Sequence, residues 1–175
     1  MADVCPDPDD ESALIAVVDA AFAVVDRPTH FTDFTHCCEY AENDALLRAR
    51  DRGTLRLDDV GNPGCDPLCF CSAQGLAWYF PALARLALAE CGPGAAWYGE
   101  QLQFQLSYGG PDNRLLAYCD DGQRDAVARL LGHLVATRAA LIDDYGMADD
   151  FLRCHALWSD SDLLAKPAGD TPCSN

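Results

Sequence analysis

Residues 121–145 of the chain read DGQRDAVARLLGHLVATRAALIDDY, which is its strongest helical pattern. The apolar side chains recur at the spacing that places them along one face of an α-helix. They are Val127, Leu130, Leu131, Leu134, Leu141, Ile142 and Tyr145. Asp120 or Asp121 is suited to cap the helix start, and Gly146 stands where a left-handed residue ends a helix. The pattern predicts one long helix over residues 121–145.

Comparable apolar periodicity predicts further helices along the chain. We expect them at residues 10–25, 38–50, 72–90 and 148–158. Pro81 lies within the third of these, so the stretch forms either one kinked helix or two consecutive short ones. Residues 96–107 fit a helix and a strand, and we favour the helix.

Two short segments have the alternation of extended chain. Residues 55–58 predict a short strand or an extended turn, and residues 115–118 predict a short extended segment. The predicted fold class is therefore mostly α, with about five to seven helices in a single compact domain and at most a short strand pair. We expect that domain to span residues 10–165, between a flexible acidic N-terminus at 1–9 and a disordered tail at 166–175.

The composition of the 175-residue chain is strongly acidic. Twenty-eight Asp and Glu residues against twelve Lys and Arg residues give a net charge of −16. Such a surface repels phosphate backbones, so we expect no nucleic-acid binding, and it attracts basic proteins. The acids concentrate near the two ends of the sequence. Candidate contact residues are Asp7, Asp9, Asp10, Glu11, Asp143, Asp144, Asp149 and Asp150.

Ten cysteines are many for a chain whose start lacks a secretory-signal pattern. We therefore read them as metal ligands or as buried thiols rather than as a disulfide framework. The densest polar stretch contains His36, Cys37 and Cys38, whose imidazole and thiolate groups favour zinc. Cys69 and Cys71 would complete the ligand set if their loop folds back. The spacing matches no strict zinc motif, and packed cysteines beside solvated acids explain the same residues.

A resemblance arises from three motifs. They are HCCEYAEND at residues 36–44, GNPGCDPLCFCS at 61–72 and YFPAL at 79–83. Together they resemble an uncharacterised family of small bacterial proteins, a domain of unknown function with the pattern H-C-x-E-C-A-E-H-D, G-N-P-G-W-D-P and Y-x-P-A-L. The resemblance covers about residues 30–90 and implies a shared helical fold without a mechanism. Tyr40 and Asn43 replace a Cys and a His of that pattern, which weakens the zinc hypothesis.

The sequence lacks the common catalytic signatures. It contains no G-x-S-x-G, H-E-x-x-H or G-x-x-x-x-G-K-[ST] motif, so we lean against an enzyme and expect no cofactor. No apolar run approaches the roughly 20 residues that a membrane span needs. The favoured hypothesis is a cytoplasmic protein-interaction domain, of an immunity or regulatory type, that binds a basic partner. The alternative is a zinc-binding domain.

Overall fold

A computed structural model describes residues 8–89 and 96–160 of the chain. Within those ranges there are nine α-helices and no strand, which confirms the mostly α fold class. They are α1 (Pro8–Phe22), α2 (Cys38–Arg48), α3 (Leu57–Val60), α4 (Ala73–Leu88), α5 (Tyr98–Ser107), α6 (Arg114–Tyr118), α7 (Asp121–Thr137), α8 (Ala139–Asp144) and α9 (Ala148–Ser159). Short 3₁₀ turns occupy Pro63–Cys65, Pro67–Phe70 and Gly110–Asp112. The predicted tail at 166–175, and the predicted N-terminus as far as residue 7, lie outside the described residues.

Helix α4 forms the centre of the core, packed by α1, α5 and α6. Twelve of its sixteen residues are buried, so it contacts other elements on almost every side. The Ser72 hydroxyl caps its start by accepting from the Gly75 amide. Of the two alternatives left open by Pro81, the structure has a single helix that runs through the proline.

The predicted helix over 121–145 is divided into α7 and α8. Arg138 separates the two helices, with φ −118° and ψ 22°. Its guanidinium donates to the Leu88 carbonyl and to the Glu11 carboxylate, so the junction is tied to neighbouring helices. The apolar stripe continues across the break, because Ile142 of α8 remains buried. Gly146 follows with φ +68°, the left-handed conformation that the sequence predicted.

The two expected extended segments are instead short helices. Residues 57–60 form α3, and the Asp59 carboxylate accepts from the Arg56 amide at its start. Residues 114–118 form α6, where the Asn113 side chain accepts from the amides of Leu115 and Leu116. Capping side chains therefore outweigh the local alternation of apolar residues. The helical prediction for 96–107 is confirmed by α5.

Helix α9 packs against both α7 and α5. The Trp97 and Phe151 rings stack with centroids 5.5 Å apart, and the Trp158 indole donates to the Leu106 carbonyl at 2.9 Å. This packing fixes the orientation of α5, whose first two turns line a cleft described below. No helix in the described ranges combines the length and the apolar composition required to cross a membrane.

Candidate functional site

The predicted zinc ligands His36, Cys37 and Cys38 lie on the surface at the start of α2. Both thiols are exposed, and Cys37 is the residue that precedes the first turn of the helix. Hydrogen bonds from the Tyr40 backbone and from His36 lower the pKa of the Cys37 thiol. The hydrogen bond and the charge of Cys37 in turn raise the pKa of His36. Each of the two groups therefore favours the charged form of the other.

The other two predicted ligands differ in environment from this pair. Cys69 is exposed on the Pro67–Phe70 turn, where its Sγ lies 3.3 Å from Gln105 Nε2. Cys71 is buried, and burial raises the pKa of its thiol to about 12. Across residues 8–89 and 96–160, no group of three or more His, Cys, Asp or Glu side chains is arranged to hold a metal ion. Cys5, Cys91 and Cys173 lie outside these ranges.

An acidic surface is formed by α8 and the first turn of α9. We define it by Asp143, Asp144 and Asp149, which are exposed and form no ion pair with any residue in the described ranges. Asp150 is adjacent but is paired with Arg153 at 2.6 Å. The turn between the helices is closed by a 2.9 Å hydrogen bond from the Gly146 amide to the Asp143 carbonyl. Three unneutralised carboxylates are therefore held on one short, ordered corner.

The acids predicted near the N-terminus are distributed differently. Asp10 is exposed, whereas the Glu11 carboxylate is half-buried and contacts Arg138 at 2.8 Å. Glu11 therefore serves as an internal link between α1 and the α7–α8 junction. Asp7 and the side chain of Asp9 lie outside the described residues.

The arginines make most of their contacts within the molecule. Ten of the eleven are engaged within the molecule, and six of these donate to main-chain carbonyl oxygens. Those six are Arg27, Arg52, Arg85, Arg114, Arg124 and Arg138. Arg85 and Arg138 also pair with Asp19 and Glu11. The other four form no ion pair within the described ranges, so their engagement with carbonyl groups neutralises no carboxylate directly.

A second feature, which sequence reasoning missed, surrounds Asp66. This residue is 5% exposed, and its two oxygens accept from the Leu68 amide at 2.9 Å and from Gln105 Nε2 at 3.1 Å. Burial raises the pKa of its carboxyl, while those hydrogen bonds and the charge of Arg114 oppose the rise. Asn62, in the Asn-Pro-Gly stretch of the same loop, caps its first turn by accepting from the Gly64 amide. Asp66 adds a buried carboxylate to that loop.

Arg114 fixes the loop from the side of α6. It donates to the carbonyls of Leu68 and Cys69, and it contacts Gln105 Oε1 at 3.2 Å. Asn113, which is 2% exposed, donates to the Gln105 and Tyr108 carbonyls and so joins α5 to α6. The Pro63–Phe70 loop and α5 are therefore held together by a polar network.

A cleft of about 240 Å³ opens between this loop and α5. Its lining consists of Pro63, Asp66, Cys69, Glu100, Gln101 and Phe104. Gln101 is 7% exposed, and its Oε1 is buried without a hydrogen-bond partner among the described residues. The buried Tyr98 hydroxyl also lacks a partner there, and burial raises its pKa well above the ordinary value. Unsatisfied polar atoms of this kind are uncommon in a folded interior.

A weak signal for this cleft was present in the sequence. Gln101, Gln103 and Gln105 alternate with apolar residues along 101–106, and all three glutamines are buried in α5. Buried polar side chains on a helix require partners, which indicates a network or a site.

A larger cleft, of about 550 Å³, lies beside α3 and α4. Three arginines line it, namely Arg52, Arg56 and Arg85, together with Asp19. Arg52 donates to the Phe22 and Val25 carbonyls, and Arg85 pairs with Asp19. These two cations therefore take part in connections between α1, α4 and the chain that follows α2.

Comparison of the chain with protein-family models, with curated proteins and with solved structures found no match. The resemblance to an uncharacterised bacterial family therefore stays a prediction.

Proposed function

We propose that this protein binds a basic protein partner through the acidic surface formed by Asp143, Asp144 and Asp149. The observation that carries the proposal is that these three carboxylates are exposed and form no ion pair with any described residue. A concentrated negative field accelerates encounters with a positively charged surface and discriminates against acidic partners. The net charge of −16 supports the same class of partner.

The position of the acidic surface also supports this proposal. Its side chains project from two helices joined by a tight turn, so little ordering entropy is lost when a partner binds. The buried side chains of Ile142 and Phe151 anchor the two helices to the core. A rigid, charged corner is suited to a regulatory or inhibitory contact.

The test is capture of partners from a native lysate of the source cells at low ionic strength. The variant Asp143→Asn/Asp144→Asn/Asp149→Asn removes three charges from the surface. The matched control, Glu39→Gln/Glu42→Gln/Asp58→Asn, removes three exposed charges from other helices. We expect wild type and control to retain a basic protein that the first variant loses. Equal retention by all three proteins, or no basic protein on wild type, would contradict the proposal.

Zinc binding is the second candidate function, and the environment of Cys37 favours it. The Cys37 thiol is exposed, lies next to His36 and Cys38, and has a lowered pKa, so it loses its proton to a metal more readily than an ordinary thiol. Cys69 and Cys71 are the further ligands to examine, although Cys71 would first have to leave its buried position.

Metal content per chain tests this second candidate. Untagged protein is purified under reducing conditions without added metal and analysed by elemental mass spectrometry. We expect about one zinc per chain, lost in Cys37→Ser/Cys38→Ser and kept in the control Cys65→Ser, which changes another exposed thiol. A value near zero for wild type would refute zinc binding.

A further inference from the structure

The cleft beside α5 is lined mainly by groups that accept hydrogen bonds. Asp66 and Glu100 contribute carboxylates, Gln101 contributes an amide, and Cys69 contributes a sulfur. No Lys, Arg or His is among its lining residues in the described part of the chain. Such a lining fits a ligand that carries donors and positive charge, and it disfavours an anion.

The surroundings of Asp66 also favour a positively charged ligand. The carboxylate is buried, yet no ion pair within 4 Å neutralises it in the described ranges. The nearby guanidinium of Arg114 donates to the Leu68 and Cys69 carbonyls and to Gln105 instead. A buried charge without a direct counter-ion is unfavourable unless a partner arrives.

Gln101 provides an independent observation. Its side chain lines the cleft, and its buried Oε1 accepts no hydrogen bond from the described residues. Because an unmade hydrogen bond costs free energy, a ligand whose donor reaches this oxygen would remove that cost. A ligand that donates hydrogen bonds would therefore suit both the Asp66 carboxylate and the Gln101 amide oxygen.

We propose that this cleft binds a guanidinium or alkylammonium group. The Phe104 ring, which is 50% exposed at the cleft, provides an apolar and cation-attracting surface for the stem of the ligand. A space of about 240 Å³ admits a small organic cation or one basic side chain, and excludes a large cofactor. The site uses other residues than the acidic surface of α8 and α9, so it does not depend on the function proposed there.

The test is a titration followed by backbone amide NMR, with N-propylguanidinium as probe and N-propylurea as its neutral isostere. We expect saturable shifts in the signals of Asp66, Gln101 and Phe104 with the cation, and none with the urea. A blocked Gly-Arg-Gly peptide forms the second arm. Binding of the free cation points to a small metabolite, and binding of the peptide alone points to a partner's side chain. If neither cation saturates, or if the urea binds equally well, the proposal is wrong.

Two variants separate binding from folding. Gln101→Met removes the unpartnered acceptor at similar volume, so we expect an unchanged or higher melting temperature together with about tenfold weaker binding. Asp66→Asn keeps an acceptor for the Leu68 amide but removes the charge, and we expect a loss of about tenfold or more. Asp144→Asn, an equal charge change on α8, leaves binding unchanged. Wild-type affinity in both cleft variants would overturn the assignment.

Discussion

The buried carboxylate of Asp44 provides a sharp test of the physical account of the fold. Asp44 is 2% exposed, and one of its oxygens accepts from the amides of Phe31 and Thr32 at 2.7 and 3.3 Å. The other lies 2.8 Å from Nδ1 of His30. A single side chain of α2 therefore holds the loop that precedes that helix. Replacement of Asp44 should detach this loop.

The magnitude follows from the groups that each substitution leaves unpaired. Asp44→Ala strands two amides of buried residues, so we expect the free energy of unfolding to fall by about 3–5 kcal/mol. Asp44→Asn keeps an oxygen for both amides but loses the charge, so we expect the free energy of unfolding to fall by only about 1–2 kcal/mol. The control Glu42→Gln removes one charge from an exposed position of the same helix and should change stability by less than about 0.5 kcal/mol.

The pH dependence of stability has a defined sign. Burial alone would raise the pKa of Asp44, but hydrogen bonds from His30 and from the Phe31 and Thr32 amides lower it overall. The stabilisation is therefore present above the ordinary carboxyl pKa and is lost as the pH falls toward the lowered value in the folded protein. The Asp44→Asn variant lacks this contribution at every pH. The difference between its free energy of unfolding and that of wild type therefore shrinks as the pH falls.

Urea unfolding followed by tryptophan fluorescence, at pH about 7 and about 3, measures these differences. The alanine variant should be the least stable at neutral pH, followed by asparagine and then by the control. If alanine and asparagine were equally and weakly destabilising, the carboxylate would not be satisfying the loop amides. A deficit of the asparagine variant that grows in acid would refute the sign.

Three further predictions test other parts of the structure. Gly75→Ala places a Cβ 2.5 Å from the buried Cys71 Sγ, and we expect a loss of about 1–3 kcal/mol by urea unfolding; wild-type stability would show that the contact relaxes. Asn113→Ala leaves the start of α6 uncapped and two carbonyls without their donor. We therefore expect the free energy of unfolding, measured by thermal unfolding, to fall by about 2–4 kcal/mol. A change below about 0.5 kcal/mol would contradict this role of Asn113. Iodoacetamide at pH about 7 should alkylate Cys37, whose pKa is lowered, well before the buried Cys71, whose pKa is raised. Mass spectrometry maps the order, and faster alkylation of Cys71 would contradict these environments.

Periodicity predicted the helices whose stability comes from burial. The helices α1, α2, α4 and α9 lie close to their expected ranges, because each buries an apolar stripe that the sequence displays. The division at Arg138 could not be predicted, since it depends on partners in α1 and at the end of α4. The short helices α3 and α6 depend on caps and on loop contacts, which periodicity does not detect.

The candidate sites differ in how far the sequence revealed them. The exposed acids of α8 and α9 follow from composition and helical position. The cleft at Asp66 brings together residues some 35 positions apart, through hydrogen bonds of Gln105 and Arg114 that only the tertiary structure defines. The sequence of the loop does not reveal that the Asp66 carboxylate is buried against α5.

The most direct test of partner binding is the salt dependence of affinity for the basic protein captured on wild type. Affinity is measured by calorimetry between about 50 and about 500 mM NaCl, over which the screening length falls severalfold. The account predicts that wild-type affinity declines steeply with salt. It also predicts that the Asp143→Asn/Asp144→Asn/Asp149→Asn variant binds weakly at every salt concentration. Affinity that is independent of salt, or unchanged in that variant, would contradict binding through the acidic surface.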